Sequence, residues 1–293
     1  MIDSILEPLG YTFFVEGLLV AALSGALLGF IGVYIVLRGM SYIGHGLSHS
    51  IFGGFAAVQL FAAQFYVLGA GLWGIASALA INAVTKRSRL GADAAIGVIT
   101  TASFALGVAL FARFGSSGPS FENALFGSIL GISPEQIVGL VVVSLITVAF
   151  VFLRYRALLF STFDPEVANV SGVRVGRVEA QLMVILSLSI LATLTVIGVT
   201  LVAAMLVIPA VVARMLTDSF GRMLAWSTAV GTFSGLVGMY LSYYAEVPSG
   251  TMIVLVGAAI FLIVFAFAGS SRRRRSAGLD SHVEPVPTTT VAR

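Results

Sequence analysis

The chain has 293 residues, of which 58% are hydrophobic and only 10% charged, with a mean hydropathy of +1.05. A water-soluble domain carries about 25% charged residues, so this composition excludes a soluble enzyme and reads as an all-α polytopic membrane protein. Cysteine is absent, which removes disulfides, thiolate metal ligands and iron–sulfur clusters.

The opening residues hold Asp3 and Glu7 and no Lys or Arg. A cleaved leader needs a positive start before its apolar stretch, so the first span is expected to be retained. Apolar stretches of about 17–25 residues suffice to cross a hydrocarbon core about 30 Å thick. They occur at about 13–37, 41–64, 66–85, 92–113, 135–154, 178–198, 199–216, 222–243 and 249–269. The run 178–216 must hold two spans with almost no connector; one span plus a half-helix there would lower the count from nine to eight.

Charge favours nine. Arg38, Lys86-Arg87 with Arg89, Arg154 and Arg156, Arg174 and Arg177, Arg214 and Arg222, and Arg272 to Arg275 all fall at alternate span ends. Basic residues favour the cytoplasmic side. Nine crossings with the N-terminus outside and the C-terminus cytoplasmic put every one of these clusters inside, with Arg113 the one dissenter. The pI near 9.4 therefore describes topology rather than nucleic-acid binding. Residues 1–270 form one transmembrane domain, and residues 271–293, with Pro285, Pro287 and three threonines, read as a basic disordered tail.

Glycines are concentrated within spans rather than between them. Gly25 with Gly29 and Gly231 with Gly235 have the spacing that lets helix backbones approach closely. Between spans, residues 114–134 form an outer loop containing Glu122, Asn123 and Phe126. Residues 157–177 form an inner one, where Asp164 can cap a short helix, Pro165 fits its first position, Glu166 suits its positive end and Gly172 can stop it. Such a helix needs something to dock against. Asp93 neutralises the nearby basic cluster, and Glu246 lies at an outer span end. Pro209 sits inside a span, where proline permits a kink or a hinge.

Chemistry concentrates in the second span. His45 and His49 are four residues apart, so on a helix they project from one face, one turn apart. Ionisable groups are costly in lipid and mark pathways or sites. The pair superficially matches the two-histidine helix of zinc proteases, but Gly46 stands where those need a glutamate base. Helix-to-helix hydrogen bonding and a proton relay are the other readings. Neutral imidazole is a good ligand for zinc, iron and similar ions. Two ligands alone make a poor site for a resident metal and suit a transport site; two chains about a twofold axis would present four imidazoles. No phosphate-binding Gly-x-x-x-x-Gly-Lys-Ser/Thr loop occurs, so any ATP-driven engine is a separate polypeptide.

Three stretches resemble the permease subunits of bacterial ABC importers for zinc, manganese and iron. Met40-Ser41-Tyr42-Ile43-Gly44-His45-Gly46-Leu47-Ser48-His49 is similar to that family's M-S-x-I-G-D-A-L-S-H. Phe163-Asp164-Pro165-Glu166-Val167-Ala168, with Gly172, resembles its F-D-x-E-x-A…G coupling helix. Leu201 to Arg214, with Pro209, is similar to its span ending P-A-x-x-A-R, and Phe126-Gly127-Ser128 adds a fourth likeness. The matches run in order over about residues 13–270.

The resemblance implies an importer of two permease copies, two cytoplasmic P-loop ATPases and an extracytoplasmic metal-binding protein, in the inner membrane, with no permanently bound cofactor. The family's path-lining His carries over as His49, while its Asp is His45 here, which softens the site and favours zinc over manganese or iron. Phe52-Gly53-Gly54 replaces the family's L-P-G, so helix geometry there is expected to differ. Phe163, Asp164, Pro165, Glu166, Ala168 and Gly172 are expected to couple to the ATPase, and Pro209 to act as a hinge. The rivals are an ion-coupled secondary carrier, which should show an internal repeat that is not evident here, and a membrane-embedded metalloenzyme.

Overall fold

The computed structural model describes residues 7–58, 66–87, 91–114 and 132–280. Part of the outer loop (residues 115–131, with Glu122 and Phe126), residues 59–65, residues 88–90 with Arg89, and the tail beyond Asp280 lie outside the described residues. Among those described there is no strand. After a 3-10 turn at Glu7–Gly10 come α1 (Thr12–Leu37), α2 (Ile43–Val58), α3 (Tyr66–Arg87), α4 (Ala92–Phe114), α5 (Pro134–Leu153), α6 (Tyr155–Phe163), α7 (Pro165–Val170), α8 (Val175–Ile197), α9 (Val199–Leu216), α10 (Phe220–Ala245) and α11 (Ser249–Asp280).

Local chemistry sets several of these limits. Ser133 begins α5 with a reciprocal cap: its hydroxyl accepts from the Gln136 N–H while the Gln136 side chain accepts from the Ser133 N–H, with Pro134 at the first position. α10 stops at Glu246, which takes a left-handed conformation (φ 54°), and Pro248 precedes α11. α11 continues to Asp280 instead of ending near 269: the first proline after it is Pro285, and the intervening arginines, serines and alanine tolerate helix.

Packing fixes the direction of each long helix. α1 runs antiparallel to α10, because Gly25 abuts Gly231, Gly29 abuts Ser227 and Gly235 abuts Ala21. It runs parallel to α9, where Gly25 meets Met205 and Gly29 meets Pro209. α2 and α3 are antiparallel through Gly54 on Trp73 and Ser50 on Ser77, and α2 and α4 are parallel through Gly46 on Thr100 and Gly53 on Ser103. α8 opposes α5 through Ser189 on Thr147 and Gln181 on Arg154, and opposes α3 through Glu179 on Lys86. Gly238 on Ile253 and Gly257 on Ser234 make α10 and α11 antiparallel. Direction therefore alternates along α1 to α5 and again along α8 to α11.

Seven of these helices are long and apolar enough to cross a membrane: α1, α3, α4, α5, α8, α10 and α11. α2 has 16 described residues and α9 is a shorter apolar helix. The reversal between α8 and α9 occupies one residue, Gly198, at φ 89° and ψ 157°, a conformation open to glycine alone. The expected run without a connector is thus two helices that reverse at Gly198, the second of them the shorter apolar helix α9. Ser48 of α2 donates its hydroxyl to the Val199 carbonyl at 3.0 Å, satisfying a polar group that lipid cannot.

Candidate functional site

α2 is wrapped on nearly every side. From Ile43 to Gly54 every residue is buried except two, His45 and His49. The wrapping follows from small residues: Gly44 lies on Leu206 and Ala203 of α9, Gly46 on Ile96 and Thr100 of α4, and Gly53 and Gly54 on α4 and Trp73 of α3. The helix passes through Gly53-Gly54 without a break, so the altered glycine pair serves close packing.

The two imidazoles stack along the open stripe. Their ring centroids are 4.5 Å apart at 69°, Tyr42 lies 5.5 Å from His45 on one side and Phe104 lies 5.3 Å from His49 on the other. Neither ring enters a hydrogen bond with the described residues. The serines beside them are engaged elsewhere: Ser48 binds the His45 and Val199 carbonyls, and Ser50 donates to Ser77 at 2.6 Å while meeting Ser103, which accepts from the Trp73 indole. Helix gluing is therefore done by the serines, and the histidine nitrogens stay available. Depth follows from shared contacts: Gly32 and Gly44 both face Leu206, five residues, or roughly 8 Å, from the end of α1. His45 and His49 thus lie roughly 9–15 Å in from that end along the helix axis.

Among the described residues no group of three or more His, Asp or Glu side chains comes together. Pro209 does not join the histidines. It is buried on the α1 side of α9, against Gly29, and α9 is one helix through it; the Met205 carbonyl loses a helical donor there.

The remaining predicted residues form a separate cluster at the other end of α8. Asp164 accepts the Val167 N–H at 2.9 Å, Pro165 opens α7, and Glu166 lies in its first turn. Gly172, at φ 83°, closes α7 with the Gly172 N–H on the Asn169 carbonyl and the Val173 N–H on the Ala168 carbonyl. Ala168 is buried and anchors the helix, while Asp164, Glu166, Val167 and Val170 face outward, Val170 at 91% exposure. Phe163 touches Phe220, which also meets Tyr34 and Tyr155. Asp93 is exposed in the first turn of α4, and Glu246 is exposed at the α10 turn.

Sequence reasoning missed one group. Arg38, at the end of α1, is read from sequence as a topology marker, yet its side chain is only 8% exposed. Its Nε donates to Thr162 at 3.2 Å, its Nη2 to Ser161 at 2.8 Å, and its Nη1 lies 3.8 Å from Glu179, which also binds Lys86 at 2.5 Å. Burial pulls the guanidinium below its usual pKa range, and Glu179 opposes that. A lone carboxylate near the start of the span 178–198 was the available signal.

A family model described as the ABC 3 transport family matches residues 10–268. The chain is 36% identical over 262 residues to the "Manganese transport system membrane protein MntC" of Halalkalibacterium halodurans, covering 89% of each protein. It is 34% identical over 269 residues to the "Chelated iron transport system membrane protein YfeC" of Yersinia pestis, covering 92% of this chain and 90% of that one. Its fold superposes on PsaBC from Streptococcus pneumoniae, solved in complex with Fab, with a TM-score of 0.80 and 29% identity over 90% of this chain and 95% of that one. The alternating helical body and the matched length agree: the chain belongs to the ABC 3 transport family, as an inner-membrane permease subunit rather than an enzyme.

Proposed function

We propose that two copies of this chain form the ion path of an ATP-driven importer for a divalent first-row metal ion. Separate cytoplasmic ATPases drive it, and an extracytoplasmic binding protein delivers the ion. The observation that carries this reading is the pair of half-open imidazoles, without a hydrogen bond to the described residues, on a stretch from Ile43 to Gly54 that is otherwise buried. Two donors hold an ion weakly enough to release it, and a second copy can complete the set.

In this reading His45 and His49 are ligands to the passing ion, which is cargo and not a resident cofactor. The outward face of α7 meets the ATPase: Asp164 and Glu166 supply polar contacts, Phe163 and Val170 an apolar surface, and Ala168 and Gly172 the geometry. Pro209 gives α9 a weak point beside α1. On cargo, the names of the relatives favour manganese and iron, which reverses the order expected from sequence. Zinc is the second reading, because imidazole in place of carboxylate suits a borderline ion.

Reconstitution of the permease with its ATPase in liposomes, with radiolabelled manganese, iron and zinc in competition, tests both statements. The expected result is uptake that requires ATP and is lost in His49→Ala. Uptake without ATP, driven by a proton or sodium gradient, would establish the secondary-carrier alternative instead.

A further inference from the structure

The two functional regions just described lie on different elements, and one side chain joins them. Arg38 caps α1 and begins the five-residue connector to α2. That connector is stiff: Gly39, at φ 68°, closes α1 with its N–H on the Val36 carbonyl and the Met40 N–H on the Ile35 carbonyl, and the Ile43 N–H then binds the Met40 carbonyl. A displacement of Arg38 therefore carries into α2, where His45 follows seven residues later.

On its other side Arg38 grips the end of α6. Ser161 and Thr162 both already donate to the Leu158 carbonyl, at 3.1 and 2.7 Å, so toward Arg38 they act as acceptors. The guanidinium meets them with two different nitrogens and turns a third toward Glu179. This is a fork that lysine cannot reproduce. Thr162 is two residues before Asp164, the cap of α7, and a cavity of about 360 Å³ lies between Arg38, Met40, Lys86, Pro165 and Glu179, leaving room for the group to shift. Glu179, held closely by Lys86 and loosely by Arg38, retains the guanidinium without locking it.

We propose that Arg38 is a positioning residue of the transport cycle, linking the loop helix α7 to the histidine helix α2 through Ser161 and Thr162, with Glu179 as its retaining charge. The inference rests on the functional reading above and adds a residue to it. When the ATPase moves α7, the hydroxyls draw Arg38, and the connector passes the motion to the histidines.

The test uses the assembled importer in liposomes, recording manganese uptake and ATP hydrolysis on the same vesicles. Arg38→Gln and the pair Ser161→Ala with Thr162→Ala should each lower metal moved per ATP at least tenfold while the complex still assembles. Combining them should add nothing, and Arg38→Lys should fail to restore the ratio. The chain has no cysteine, so a spin label at Tyr42→Cys, the last connector residue, reports the start of α2, whatever the cargo. Its spectrum should change on ATP binding in the parent and not in the hydroxyl-pair variant. An unchanged ratio in that variant, multiplicative losses on combination, or an ATP response that survives it would overturn the link. If Arg38→Gln fails to assemble, the hydroxyl pair alone decides, since alanine suits a helix end. Absence of ATP-driven uptake in the parent would instead count against the functional reading, and the spin-label response would still judge Arg38.

Discussion

α1 and α2 are neighbours in sequence and opposites in packing. α1 is locked along one face: Gly25 and Gly231 approach so nearly that a Cβ on either would overlap the other's carbonyl, and Ser227 donates to the Gly29 carbonyl at 2.5 Å. α2 is buried from Ile43 to Gly54 except along His45 and His49. Lipid gives helices no hydrophobic drive to associate, so backbone proximity and interhelical hydrogen bonds must hold them. Where both are spent, as between α1 and α10, the pair is a fixed frame. Where one stripe is left unspent, as on α2, the proposed ion path lies.

The severest way to break this contrast is to fill the frame. Gly25→Leu drives a side chain into the Gly231 backbone, which cannot yield as a flexible side chain would. The expected cost is about 3 kcal/mol or more, seen as loss of monodisperse folded protein by size exclusion in detergent. The open stripe should respond in the opposite manner. His49→Ala removes the proposed ligand and only its ring contacts with His45 and Phe104, so folded yield should be largely retained while metal uptake falls by about 100-fold.

A finer probe changes the donor and keeps the stripe. His45→Asp restores the family's carboxylate and should shift selectivity from zinc toward manganese by about tenfold, measured in the same competition assay. The smallest effect is expected at α7. Asp164→Ala removes one cap, worth about 1 kcal/mol, and should speed hydrogen exchange at the amides of residues 165–170 while leaving α1 and α10 protected.

Much of this arrangement is legible in the sequence because lipid makes the patterns strict. Apolar run lengths, alternating basic clusters and the Asp164-Pro165 start of α7 each follow from a local rule, and the observed helices lie close to the predicted stretches. The edge-to-face contact of His45 with His49 needs only helical spacing. What stays hidden depends on partners distant in the chain. Arg38 looks like any basic residue at a span end until Ser161, Thr162 and Glu179, more than 120 residues away, surround it. The serine cluster behind the histidines joins three helices, and no single helix announces it. The tight turn at Gly198 is a further case: apolar continuity from 178 to 216 conceals a reversal that one positive φ accomplishes.

That single-residue turn leaves the chain no slack. A loop of five or six residues between α8 and α9 would absorb an axial slide of either helix. Here a push on α8 at Glu179 must be answered at once by α9, whose first carbonyl is tethered to Ser48. The hairpin thus behaves as a taut link between the Glu179 ion pairs and the Ser48 tether, and lengthening it by even one inserted residue would unmatch the two ends.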